Sequence, residues 1–277
     1  MKVSGFIPPV FYSVANRLSS TQSKKRVEQS IFFNSYSEAL SQCGSYDDGD
    51  IAEVVRLKTE KYILGLSDQL NFPRDVQNLL ILKEVSGDLQ KMQVVELGGA
   101  CGALFFFSEH HIGNKISRWT IVETEQMVQC AKKYFLKEKL KFVMDFAELQ
   151  LLNEDKTLCV ASGVLQYFPD PAKIIEDIFK KNFKYVYVSR QPLLIDSFSP
   201  GITIQKSNLL NHGPGNIDQN KYNKEKKTPI TFLPESFLFQ KAESEGYEII
   251  YQFDEEPVQS LPGGLKYRTV GVLFKQN

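Results

Sequence analysis

VVELGGACGALFFF, Val94 to Phe107, is the stretch whose reading decides the fold. A β-patterned run over Gln93–Leu97 carries an acid, Glu96, near its end and breaks into Gly98, Gly99, Ala100, Cys101 and Gly102 before a helical pattern begins. Glycine permits tight turns and close approach of backbone to a ligand, and the free N–H groups of the following helix start favour a carboxylate or phosphate. The segment therefore reads as a ligand cradle at the C-terminal end of a strand, where open α/β sheets bind their ligands. A plain Gly-rich connector is the alternative reading of the same residues. The dinucleotide fingerprint G-x-G-x-x-G, begun at Gly98, needs glycines where Ala100 and Ala103 stand, so it fits poorly.

Outward from this turn, apolar strands alternate with helical segments. Strands are expected at Gln93–Leu97, Trp119–Val122, Lys141–Met144, Leu158–Ala161 and Tyr185–Ser189, with helices at Ala103–His111, Glu125–Phe135 and Pro171–Lys180. That texture predicts an α/β protein with a mostly parallel sheet covered on both faces. A helix near Pro234–Glu245 precedes two further runs, Tyr247–Phe253 and Lys266–Phe274, which read as an antiparallel pair at one sheet edge. Between Gln191 and Pro229 the chain is rich in Asn, Gly, Pro and Lys and reads as a long irregular connection. Residues 1–90 read as an N-terminal arm and helical cap, and 91–277 as the ligand-binding domain with an insert at about 191–229. In the cap, one helix is expected to start with Asp50 as N-cap and Glu53 completing a capping box, and another to open at Pro73.

The next strand, WTIVE, ends in Glu123, twenty-one positions after Gly102. A carboxylate there can accept both hydroxyls of a ribose. The plainer reading is a solvated strand-end acid.

E-x-G-G-x-x-G over Glu96–Gly102, the acid Glu123, a third acid closing FVMD at Asp145, and SGVLQYFPDP from Ser162 to Pro171 together resemble a class I S-adenosylmethionine-dependent methyltransferase with a Rossmann-like sheet. More narrowly, IPPVF (Ile7–Phe11), GSYD (Gly44–Asp47) and ASGVLQYFPDP resemble a little-characterised methyltransferase family linked to bacterial polysaccharide gene clusters. The resemblance implies S-adenosyl-L-methionine as cofactor. By position, Glu96 and the backbone of Gly98, Gly99, Ala100, Cys101 and Gly102 would hold its methionine end, and Glu123 with Thr124 its ribose. Asp145 and Phe146 would border the adenine. Ser162, Gly163 and Val164 would line the far side, with Gln166 and Tyr167 facing the transfer site. Ala100 and Cys101 stand where many relatives carry further glycine. Strand four ends in Ser162 instead of the acid or N-P-P-Y motif of amino-methylating branches, which disfavours nucleic-acid base amines.

The donor is already activated, so the protein's main task is alignment, which contributes up to roughly 7–11 kcal/mol. An oxygen acceptor also gains from a base. His212, in the long connection, is the candidate base or acceptor contact, because an ordinary imidazole titrates near neutrality. Tyr167 is the second catalytic candidate, as a positioning group or merely an aromatic wall. Tyr46 reads as part of a lid or as packing. His110 and His111 read as helix-terminal surface residues, and Phe105, Phe106 and Phe107 mostly as core. Lys221, Lys224, Lys226 and Lys227 form a basic run, either solvated or met by an anionic acceptor.

Composition bounds the rest. The chain has 277 residues, 42% apolar and 24% charged, with 33 Lys+Arg against 33 Asp+Glu, so nucleic acid is not an expected partner. Cys43, Cys101, Cys130 and Cys159 show no metal-site or disulfide spacing and read as reduced thiols in a cytoplasmic protein. The arm Val3–Ala15 reads as packing on the body, or as a weak peripheral foot on a membrane. The expected activity is methyl transfer to a small or glycan-linked acceptor, on oxygen. The rivals are an NAD- or nucleotide-sugar-linked Rossmann enzyme and a non-catalytic binding module on a degenerate methyltransferase fold.

Overall fold

Continuous apolar strands force a sheet covered on both faces, and that is the arrangement found. A computed structural model of the chain describes residues 32–66, 70, 74–89, 91–149, 156–217, 220–261 and 263–277. The arm Val3–Ala15 and the helix-opening Pro73 lie outside the described residues. Parallel strands β1 (Met92–Leu97), β2 (Ile116–Val122), β3 (Leu140–Val143), β4 (Thr157–Ser162) and β5 (Tyr185–Leu194) stand in the order β3-β2-β1-β4-β5. Every residue of β1 is buried, as its central place requires.

Alternation assigns side chains to two cores. In β5, Tyr185 and Tyr187 face one and Val186 and Val188 the other. The first core is closed by α2 (Gly49–Leu64), α3 (Arg74–Asp88), α4 (Ala103–Ile112) and α5 (Glu125–Tyr134), which bring Val54, Ile81, Phe105 and Met127 against Trp119. The short α1 (Tyr36–Leu40) precedes them. The second core is closed by α6 (Pro171–Lys180) and α7 (Glu235–Ser244) through Ile175, Phe179 and Leu238. Phe105, Phe106 and Phe107 are all buried, as expected.

On the far side of β5 lies β9 (Lys266–Gln276), antiparallel to it, and β8 (Tyr247–Ser260) pairs antiparallel with β9. With β9 reversed beside β5, the sheet is the mostly parallel α/β sheet with an antiparallel pair expected from the sequence. No helix among the described residues is long and apolar enough to cross a membrane.

Two local expectations fail. Asp48, not Asp50, caps α2: its carboxylate accepts from Asp50 N at 2.9 Å and Ile51 N at 3.1 Å. Glu53 does not close a capping box, because it holds Arg56 at 2.7 Å. Asp50 instead sits in the first turn, where its charge faces the helix dipole.

The stretch from Gln191 to Pro229 is also not irregular throughout. Strand β5 runs on to Leu194, and β6 (Gly201–Asn208) pairs antiparallel with β7 (Glu225–Pro234) over eight residues. Lysine-rich pairs such as Lys206 opposite Lys227 obscured this hairpin, whose other half buries alternating Ile230 and Phe232 against Leu194 and Leu261. Strand β7 then joins the end of β5 at Leu193 and Leu194. The hairpin therefore rises above the C-terminal edge of the sheet, next to the glycine turn.

Candidate functional site

Three residues in five adopt left-handed backbone in the turn after β1: Gly98 (φ 65), Ala100 (φ 52) and Gly102 (φ 86). A Cβ on Gly98 would stand 2.3 Å from Val164 Cγ2, so only glycine fits there. Alanine pays about 1 kcal/mol for such a conformation. The hydrogen bond from Ala100 N to Glu123 Oε1, at 3.0 Å, offsets that cost. Glu123 Oε2 accepts from Thr124 N at 2.9 Å, so this carboxylate ties the end of β2 to the loop after β1.

Beneath the loop, buried Glu96 accepts from Trp119 Nε1 at 2.8 Å. Burial pushes its pKa up to about 7; the indole hydrogen bond opposes this and nearby Glu123 adds to it. Burial raises Glu123 as well, against its two backbone hydrogen bonds. Two desolvated acids thus flank one turn. Cys101 is buried under it, with its thiol 3.6 Å from Met127 Sδ.

Where β4 ends, Ser162 Oγ lies 2.6 Å from Ser189 Oγ, and Gly163 N donates to Ser189 O at 2.8 Å. Val164 packs over Gly98. Gln166 is buried, donates from Nε2 to Gly163 O at 3.0 Å, and its Oε1 meets no donor among the described residues. Asp145 is exposed and caps a 3-10 turn, accepting from Ala147 N at 2.7 Å while Glu148 accepts from Asp145 N at 3.1 Å. The Phe146 ring is 6.4 Å from that of Phe183. Among the described residues, neither Asp145 nor Phe146 makes a hydrogen bond or ring contact to the other residues singled out from the sequence.

Facing the turn is a cluster drawn from three distant segments. Tyr46, between α1 and α2, has its ring 4.9 Å from Tyr167 and 5.4 Å from His212. His212 is buried, with Nδ1 3.1 Å from Tyr46 Oη and Nε2 3.0 Å from Ser207 Oγ on β6. Tyr167 donates to Gln205 Oε1 at 2.8 Å, and Tyr36 donates to Tyr167 O at 2.8 Å. Burial raises the pKa of both Tyr46 and Tyr167. Asp47 secures the segment by accepting from Gln126 N at 3.0 Å, at the start of α5.

No family model matches the sequence, and no curated protein matches it significantly. Solved structures of similar fold are distant. A S-adenosylmethionine-dependent methyltransferase from Clostridium acetobutylicum is 11% identical, with 76% of this chain and 93% of that chain covered at a TM-score of 0.47. The N-terminal domain of EvdMO1 with SAH bound is 12% identical, covering 81% and 97%, with a TM-score of 0.47. Magnesium protoporphyrin IX methyltransferase from Synechocystis with bound SAM is 12% identical, covering 81% and 97%, with a TM-score of 0.43.

The lysine run has neither of its expected roles as a whole. Lys226 pairs with Asp48 at 2.6 Å and with Asp50 at 3.7 Å, and Lys224 lies 3.8 Å from Asp50, so these two tie the hairpin to the start of α2. Lys227 reaches Glu225 at 3.9 Å, and the Lys221 side chain lies outside what is described. His110, at the end of α4, is exposed and stands edge-on to His111.

Sequence reasoning missed Arg190. It sits at a bulge in the β5–β9 pairing with φ 52, and Glu255 accepts from its backbone N. Its guanidinium donates from Nη2 to Ser162 O at 2.6 Å and from Nε to Ser162 Oγ at 3.1 Å. The one available signal was a charged residue at the end of an otherwise apolar central strand, YVYVSR.

Proposed function

We propose that this chain is an S-adenosylmethionine-dependent methyltransferase acting on an oxygen of a small or glycan-linked acceptor. The observation that carries the reading is the pair of desolvated carboxylates, Glu96 and Glu123, on either side of a turn with three left-handed residues. Buried acids that form no ion pair among the described residues are costly, and a ligand bearing sulfonium and ammonium charges relieves them. Gln166 Oε1, buried without a donor, fits the same ligand.

In this reading Gly98–Gly102 present backbone to the methionine end, and Glu123, with Thr124 beside it, accepts the ribose hydroxyls. Ser162, Gly163 and Val164 wall the far side, and Asp145 with Phe146 border the base. When bound, the cofactor supplies a methyl group on a positively charged sulfur. The protein's contribution is to hold the acceptor oxygen in line with that bond and to exclude water.

Tyr46 and Tyr167 face the acceptor. His212 stands behind Tyr46, so a proton leaving the acceptor oxygen passes to the Tyr46 hydroxyl as that hydroxyl gives its own proton to Nδ1 of His212, whose Nε2–H faces Ser207 Oγ. In this reading the described part of residues 1–90 caps the domain formed by 91–277, and the segment around 191–229 builds the acceptor side. The four cysteines are free thiols, which suits work in the cytoplasm.

Isothermal titration with S-adenosylmethionine and S-adenosylhomocysteine tests the reading. Saturable heat at micromolar ligand is expected. Silence at high micromolar concentrations with folded protein, or tighter binding of NADH, overturns it.

A further inference from the structure

Arg190 is a cation whose guanidinium makes no hydrogen bond to a carboxylate among the described residues. Its two side-chain hydrogen bonds go to the carbonyl and hydroxyl of Ser162, both neutral. No carboxylate among the described residues forms an ion pair with it. Glu255 lies within electrostatic reach and favours the charge, but its hydrogen bonds go to the Arg190 backbone N and to Gln77, which donates to Glu255 Oε1 at 2.7 Å. The residue keeps solvent-accessible surface in the open cleft, yet protein walls crowd its charged end, and this desolvation lowers its pKa. Arg74, in the first turn of α3, adds a like charge within electrostatic reach.

The position is built, not incidental. A non-glycine residue at φ 52 is strained, and here the bulge and Glu255 hold it there. Gly163 (φ 65) leaves the room: a Cβ on it would stand 3.0 Å from Arg190 Cζ. The guanidinium therefore lies over the end of β4. Tyr46, Tyr167 and Glu96 all lie within electrostatic reach of its charge. Charge is divided accordingly, with acids at the glycine turn and a cation on the side of the tyrosines.

We infer that Arg190 receives an oxyanion of the methyl acceptor, a carboxylate or a phosphate, and so selects an acidic substrate. The inference rests on the proposed methyl-transfer reading for the word acceptor, but not for the anion site itself. A planar guanidinium whose Nη1 makes no hydrogen bond among the described residues offers a fork that matches either oxyanion, and such charge-assisted pairs are about twice as strong as neutral hydrogen bonds.

The test is a set of titrations at constant ionic strength on protein saturated with S-adenosylhomocysteine, read by thermal shift. Acetate, inorganic phosphate and chloride are compared on the wild type, Arg190→Gln and Arg190→Lys. Acetate or phosphate is expected to stabilise the wild type at concentrations where chloride does not, with acetate preferred for a carboxylate acceptor and phosphate for a phosphorylated one. Arg190→Gln is expected to weaken that effect at least tenfold while keeping S-adenosylhomocysteine affinity within about twofold, and Arg190→Lys is expected to restore part of it. If neither oxyanion exceeds chloride, the inference fails. It also fails if Arg190→Gln weakens S-adenosylhomocysteine tenfold, since the arginine then holds the cofactor's own carboxylate. If S-adenosylhomocysteine does not bind but the oxyanion effect and its dependence on Arg190 remain, the anion site stands and the methyl-transfer reading falls.

Discussion

The two ends of the cleft are built by different means. At the glycine turn the shape comes from backbone: left-handed residues over Gly98–Gly102, packed against Val164 and tied by Glu123 to the neighbouring strand. At the opposite end it comes from side chains. Tyr46 and His212 are 166 residues apart and meet through one hydrogen bond, and Tyr167 reaches Gln205 across 38 residues. A backbone site changes only when the chain itself is displaced. A side-chain site can be rebuilt residue by residue on a constant sheet, so on the proposed reading acceptor choice can vary while the donor pocket stays the same.

The comparison breaks most visibly at Gly98. Gly98→Val drives a side chain into Val164 at a left-handed position, and a loss of about 2–4 kcal/mol in stability is expected, with cofactor affinity weakened at least tenfold. Chemical denaturation and titration with S-adenosylhomocysteine check both. Unchanged values would mean that steric fit does not shape the turn.

Glu96 sharpens the electrostatic half of the contrast. Its pKa in the folded protein, about 7, lies above its ordinary 4.5, so the folded state binds the proton more tightly than the unfolded chain. The penalty is therefore absent below 4.5, grows as pH rises, and is complete above 7, reaching up to about 3 kcal/mol at 1.36 kcal/mol per unit. Glu96→Gln should gain stability relative to the wild type across that window, measured by denaturation at several pH values. A difference that does not change with pH would contradict the burial of a charge there.

Glu123→Ala removes the acceptor for Ala100 N and the proposed ribose contact. S-adenosylhomocysteine affinity should fall by about 10–100-fold, the range of one or two charge-assisted hydrogen bonds. His212→Ala belongs to the other end. It should cost about 1–2 kcal/mol in stability by breaking the links to Tyr46 and Ser207, yet move S-adenosylhomocysteine affinity less than about twofold. A large loss of cofactor affinity in that variant would show that the two ends are not separable.

The strand positions, the glycine turn and the acid ending β2 were legible because each is carried by neighbouring residues. Val94–Phe107 contains its own strand, turn and helix start, and Glu123 closes its own strand. The hairpin of β6 and β7 was not legible, since its lysine-rich half shows no one-sided apolar pattern and Pro229 interrupts the apolar half. Asp50 was mistaken for the cap because Asp48, Gly49 and Asp50 are all acceptable near a helix start, and only chain direction settles which carboxylate turns back.

Local chemistry in the chain was enough to specify a parallel sheet with a ligand-sized bend at the end of β1, because hydrophobic period and glycine placement act over a few residues. Folding alone decided that Tyr46, Tyr167, His212 and Arg190 share one cleft. Their meeting depends on where a loop, a turn, a hairpin and a strand bulge come to rest. Contacts between segments so far apart arise from packing, which no short window of sequence contains.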